Sequence, residues 1–273
     1  MKRLLIIGGS GFIGYSLYKE LSPYFNTYAT YNSNKRFEEN QQFIHFDFTQ
    51  GEIHNLLKKI QPKLIISAVR GPFESQIQLH QDLIEHIKLF NCRLLFLSSS
   101  NVFDAFHHYP SYEFDKTLSE SVYGRLKIKI ENAIMRLPPT QYVIARLPMV
   151  FGLQAPRIRE MQEIKDAGKP FEVFPNTIVN INSARKLSQQ IHYIINQQLT
   201  GIFHLGSTDL ITHYDFHKRL AAKQGWKDLI FKQVYTTNDM RYIAVLPKEN
   251  KLPDHLHPSC DEILIDSTSP LIK

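Results

Sequence analysis

Three residues of this 273-residue chain have the types and spacing to move a proton. Tyr123 and Lys127 stand four apart in a stretch whose apolar residues recur at helical spacing, so both side chains share one face, a turn apart. Ser99 follows Arg93–Leu97, a run that reads as a strand, and can project from the carboxyl end of a sheet. A carbonyl that accepts hydride needs a proton at its oxygen. Free tyrosine, with a pKa of about 10, exchanges protons poorly at neutral pH. An ammonium such as that of Lys127 favours the phenolate, and a depression of about 3 units is worth roughly 4 kcal/mol. Ser99 would hydrogen-bond the same carbonyl oxygen and fix its position. By itself Tyr-x-x-x-Lys is a common helix-surface pair, and its weight here comes from upstream.

Gly8, Gly11 and Gly14 lie between the apolar run Arg3–Ile7 and the helical pattern Phe12–Leu21. With Gly9 they place four of the 12 glycines in seven residues. A strand, a glycine turn and a helix in that order form a dinucleotide cradle. The first glycine turns the chain, the second lets backbone N–H groups approach a pyrophosphate, and the third packs helix on sheet. The helix N-terminus adds a favourable partial charge. Strand two ends Thr30-Tyr31-Asn32-Ser33, followed by Lys35 and Arg36, with no carboxylate before Glu38. A neutral strand end followed by two bases suits a 2′-phosphate, so NADP is expected over NAD.

The elements that must position these residues alternate. Strands are expected at Thr27–Tyr31, Phe43–Phe46, Leu64–Ala68, Arg93–Leu97 and Tyr142–Arg146, with helices at Leu79–Phe90 and Leu118–Met135. Later come helices at Arg157–Gly168, Ser183–Asn196 and Tyr214–Gly225, and a short strand at Gly201–Gly206 that could join the sheet. This predicts an α/β chain, a Rossmann-like doubly wound parallel sheet with a small C-terminal substrate-binding lobe. The dinucleotide-binding domain would span 1–150 plus about 178–206, and the lobe about 151–177 and 207–273.

Composition excludes several classes. Abundant aromatics, with 18 Phe and 13 Tyr, rule out disorder. A net charge of +6 is diluted along the chain rather than clustered, which argues against nucleic acid. No apolar run nears the roughly 20 residues that span a bilayer. Two cysteines, Cys92 and Cys260, cannot build a disulfide framework, so a reducing cytoplasm is expected. The 12 histidines, His107-His108 included, form no zinc-like spacing, and no metal is expected.

With these motifs in order, the chain resembles the extended short-chain dehydrogenase/reductase family, whose members share a Rossmann domain and act mainly on nucleotide sugars. The resemblance rests on Gly8–Gly14, Asp47-Phe48, Ser98-Ser99, Val102-Phe103-Asp104, Tyr123–Lys127 and Arg146–Gly152. Val102–Asp104, Glu113, Asp115 and Glu131 are most similar to the dTDP-4-dehydrorhamnose reductase branch. It implies that Asp47 and Phe48 lie beside the adenine, that Pro148 and Met149 border the nicotinamide ribose, and that Lys127 holds ribose hydroxyls. Ser99 takes the catalytic serine position, with Ser98 as its rival. The expected cofactor set is Gly8, Ser10, Gly11, Phe12, Ile13, Gly14, Asn32, Lys35, Arg36, Asp47, Phe48, Ala68, Val69, Tyr123, Lys127 and Pro148; the catalytic set is Ser99, Tyr123 and Lys127. The chain departs from the branch at Ser100-Asn101, at Ile66–Arg70 and at Gln76, where family members often place Asn. These departures leave the sugar open, and the first speaks against a 4,6-dehydratase.

The expectation is therefore an NADP-dependent reductase of a nucleotide-linked keto-sugar, for which a homodimer is admissible. Its rivals are an epimerase that retains its cofactor and a catalytically idle NADP-binding regulatory protein.

Overall fold

Arg3–Ile7 (β1) is buried at four of its five positions, as a central strand must be when helices cover both faces of a sheet. The computed structural model describes residues 2–268. After β1 come Phe12–Leu21 (α1), Asn26–Tyr31 (β2), Phe43–His45 (β3), Ile53–Ile60 (α2), Leu64–Ser67 (β4) and Phe73–Leu89 (α3). Arg93–Ser99 (β5), Val122–Ile134 (α4) and Tyr142–Leu147 (β6) follow. Then come Met149–Phe151 (β7), Pro156–Asp166 (α5), Phe171–Val173 (β8), Thr177–Val179 (β9), Ile181–Ser183 (β10), Ala184–Asn196 (α6) and Gly201–His204 (β11). Ile211–Thr212 (β12), His213–Lys223 (α7), Phe231–Gln233 (β13), Arg241–Ile243 (β14) and Cys260–Thr268 (α8) complete the described chain.

Seven strands form the main sheet in the order β11-β6-β5-β4-β1-β2-β3. The pairings from β3 through β5 are all parallel. Strand order reverses between β1 and β4, so the carboxyl ends of these strands and of β5 open on the switch point where such sheets bind ligands. This is the expected Rossmann-like sheet, and β11 joins its edge.

The chain separates into two units. The first holds the residues up to Ser99, with Val122–Ala145 and Ser188–Phe203. Its core joins Leu5, Ile7, Ile65, Leu83, Leu94, Phe96, Ile130 and Ile144, strand and helix side chains that remove apolar surface from water. The second unit holds Ser100–Ser121, Arg146–Leu187 and the chain from His204. Its short strands pair as β7 with β10, β8 with β13, and β9 with β12 and β14. The Phe151 and Phe216 rings pack 4.5 Å apart in its core, tilted by 54°. Buried Glu113 anchors this unit: its carboxylate accepts the backbone N–H groups of Lys248 and Asn250 at 3.0–3.2 Å. Its carbonyl accepts from Arg146 Nη1 at 2.9 Å.

Two helices differ from the sequence expectation. The helix expected from Leu118 starts at Val122, because residues 118–120 bond elsewhere: Leu118 N to Val102 O at 2.9 Å and Glu120 N to the Asp104 carboxylate at 2.7 Å. The helix expected from Leu79 starts at Phe73, and its first turns are masked by Glu74, Ser75, Gln76 and Gln78. β14 and α8 are elements that the sequence pattern does not predict.

Candidate active site

The turn after β1 is shaped by steric exclusion. Gly8 has φ +82°, and a Cβ there would stand 2.7 Å from Ala68 O. A Cβ on Gly14 would meet Gly8 O at 2.2 Å, so α1 packs against the turn closely enough to admit only hydrogen. Gly8 N donates to Thr30 Oγ1 at 2.9 Å, Ser10 N to Thr30 O and Gly11 N to Gly8 O, both at 3.1 Å. Gly11 caps α1 without a side-chain hydrogen bond, and the first turn carries no acid. The N–H groups of Phe12, Ile13 and Gly14 thus meet no capping side chain, a cradle suited to a pyrophosphate.

Beyond β2, Lys35 and Arg36 lie in a single 3-10 turn, Lys35–Phe37, capped by Asn34 through Arg36 N at 3.2 Å. The Arg36 guanidinium lies 5.2 Å from the Tyr15 ring centroid and 5.6 Å from that of Phe37, and donates to Tyr15 Oη at 3.3 Å. A cation stacked on two rings is held beside the first turn of α1. Sequence reasoning named Arg36 and missed Tyr15, which only the fold brings next to it. Asn32 hydrogen-bonds the Asp47 carboxylate. That carboxyl sits below its usual range chiefly because it accepts the Thr49 hydroxyl and N–H at 2.7 and 2.9 Å. Phe48 lies against Gly71, where a Cβ would meet its ring at 2.8 Å. Ala68 continues β4, its N–H donating to Ile7 O at 2.9 Å, and Val69 is buried.

At the end of β5 the two serines part. Ser98 Oγ donates to the buried carboxylate of Glu131, and Ser99 is hydrogen-bonded to Tyr123. Lys127 is 3% exposed; its Nζ donates to Leu97 O at 3.0 Å and stands 4.6 Å from the Phe96 ring centroid and 5.6 Å from that of Tyr123. Ser99, Tyr123 and Lys127 are therefore brought together in the first unit. Pro148 belongs to the second, against Gly206, where a Cβ would meet its ring at 2.9 Å.

The electrostatics differ from the simple expectation. Burial raises the Tyr123 phenol above its ordinary value, and Arg70 and the Ser99 hydrogen bond act against it. Burial lowers Lys127 to about 8; the Glu131 carboxylate raises it, and Arg70 lowers it further. Arg70 was visible in the sequence only as a departure from a pattern. Beneath this group His80 is fully buried, with Nδ1 2.6 Å from Gln76 O and Nε2 2.9 Å from Ser67 Oγ. The carbonyl can only accept, so Nδ1 carries the proton and Nε2 accepts from Ser67. Gln76 Nε2 donates to Gly71 O at 2.8 Å and braces the loop that carries Arg70.

A parallel sheet with a glycine turn at its switch point, and a serine–tyrosine–lysine set on the neighbouring strand and helix, defines an extended short-chain dehydrogenase/reductase, a family of NAD(P)-dependent oxidoreductases. Within that class, the family model described as RmlD substrate binding domain matches residues 74–251, more than half of the chain, and the chain belongs to that family. It is 23% identical over 242 residues to methionine adenosyltransferase 2 subunit beta of Danio rerio, covering 78% of this chain and 71% of that protein. It is 29% identical over 124 residues to dTDP-4-keto-6-deoxy-D-glucose reductase of Streptomyces niveus, covering 45% and 43% of the two chains. The fold is similar to that of dTDP-4-dehydrorhamnose reductase from Bacillus anthracis in complex with NADP, with TM-score 0.76, 19% identity and coverage of 98% and 99%.

Proposed function

We propose that the chain reduces the keto group of a nucleotide-linked sugar with NADPH. The observation that carries this reading is the Ser99–Tyr123 hydrogen bond beside the buried Lys127, at the carboxyl edge of the sheet. The uncapped first turn of α1 would take the pyrophosphate, Arg36 on its Tyr15 platform the 2′-phosphate, and Asp47 and Phe48 the adenine end. Bound there, the dinucleotide supplies the hydride. Tyr123 Oη gives its proton to the substrate oxygen as the carbonyl carbon takes the hydride, and recovers a proton from solvent. Ser99 orients that oxygen, and Lys127 holds the ribose hydroxyls while its charge favours the phenolate that the tyrosine becomes. The second unit is read as the lobe that binds the sugar nucleotide. A reducing cytoplasm suits the two buried free thiols, which burial pushes up to about 12. Among the described residues no helix is long and apolar enough to cross a membrane.

A second reading, a cofactor-binding partner subunit without turnover, draws support from the Danio rerio relative, which aligns over more of the chain than the Streptomyces reductase does. Mixing the pure protein with excess NADPH and a nucleotide 4-keto-6-deoxysugar separates the readings. Sustained loss of NADPH absorbance matched by reduced sugar is the expected result. Converted sugar without NADPH loss identifies an epimerase. Tight NADPH binding with unchanged sugar across a panel of such substrates favours the partner subunit.

A further inference from the structure

The proposed reaction assigns no task to Glu131, a carboxylate that is 1% exposed in the first unit. A buried charge is tolerated only when paired and hydrogen-bonded, and this one is met from two elements. Ser98, on β5, donates its hydroxyl to it. Lys127, four residues earlier on α4, presents its ammonium on the same helix face. We propose that Glu131 is a positioning residue for this site: its buried carboxylate keeps Lys127 in the cationic form and engages Ser98, so that Ser99 is the hydroxyl that meets Tyr123.

The surroundings of Lys127 show why a carboxylate is needed. Phe96 offers a ring face and Leu97 a carbonyl from β5. Arg70, in the loop after β4, is a like charge. His80, on α3, is held neutral, its pKa lowered to about 3. Tyr123, on α4, is an uncharged phenol at neutral pH, raised further by burial. Among the described residues, the groups acting on Lys127 include a single negative one, Glu131. Burial and Arg70 both drive the proton off. With Glu131 present, Lys127 titrates at about 8 and is mostly charged at neutral pH. Without it the lysine gives up its proton more readily in that range and its field on the phenol weakens. The same carboxylate separates two adjacent serines that the sequence leaves equivalent.

The inference rests on the reductase reading for its catalytic consequence, but its test needs no substrate. Lysine Cε and glutamate Cδ are labelled with 13C in the full chain, the Lys127 signal is assigned by Lys127→Met, and the titrations are followed by NMR. In the native protein Lys127 is expected to titrate at about 8. In Glu131→Gln the Lys127 midpoint should fall by at least about one pH unit, a ten-fold change in acid constant. Glu131→Asp should restore part of that shift, and the pH at which kcat breaks should follow the lysine while KM stays within about two-fold. An unchanged Lys127 midpoint in folded Glu131→Gln overturns the proposal. If that variant does not fold, the native protein decides: a protonated Glu131 carboxyl or an uncharged Lys127 at neutral pH overturns it, and two ionised groups support it. A chain with the expected titrations that turns over no sugar removes the reductase reading and leaves the charge assignment standing.

Discussion

Arg36 is the residue through which the proposed preference for NADPH would act. Its guanidinium lies over the Tyr15 and Phe37 rings, so the charge is held in place before any phosphate arrives. Replacing it with Ala should weaken NADPH binding by about ten-fold or more and leave NADH binding within about two-fold, since a charge-assisted pair is worth roughly 1.5–3 kcal/mol. Equal losses for both cofactors in fluorescence titrations would place the 2′-phosphate elsewhere. Residue types and spacing made part of this site readable: Gly8, Gly11, Gly14, Ser99, Tyr123 and Lys127 stand at intervals that imply their geometry. Tyr15 beneath Arg36, Arg70 near the phenol and the Ser98–Glu131 bond were not readable. Each joins residues from separate elements, and no local interval encodes such a meeting.

The β1–turn–α1 unit is the element whose packing tolerates least. A methyl group at Gly14 would press on Gly8 O from 2.2 Å, against backbone that cannot rotate away. Gly14→Ala should therefore lower stability by about 1–3 kcal/mol and weaken dinucleotide binding with it. Thermal unfolding with and without NADPH checks both, and a variant with native Tm and affinity would contradict the tight packing. Elements with a strong apolar period, such as β1, α1 and β5, were legible because burial on one or both faces writes that period into the sequence. The start of α3 was hidden because its first turns carry Glu74, Ser75 and Gln78, and buried Gln76 spends its amide on Gly71 O. β12, β13 and β14 run for only two or three residues, too short to show alternation.

Across the whole molecule, buried histidines set the response to acid. His80 in the first unit and His204 in the second both have pKa values lowered to about 3, chiefly by burial. Between the free value of about 6.5 and these folded values the unfolded chain binds more protons, so stability is lost as pH falls through that window. By about pH 5 each should have cost about 2 kcal/mol. Urea unfolding at about pH 7.5 and pH 5 measures the sum, and His80→Gln should remove its share of the difference. A pH-independent unfolding free energy would show that these rings are charged in the fold. Residues 100–121 belong to the second unit, a membership that no local interval encodes, because their backbone bonds run to distant segments, such as Ser111 N to Ala244 O at 2.9 Å.

The proposed role of Tyr123 is to deliver the proton, its hydroxyl adding little to cofactor affinity. It is tested most directly by comparing native protein with Tyr123→Phe, measuring NADPH affinity and sugar-dependent NADPH oxidation on the same preparations. Turnover should fall by at least about a hundred-fold, with NADPH affinity within about three-fold of native. Unchanged turnover in the phenylalanine variant would contradict the assignment and move the proton donor to another group.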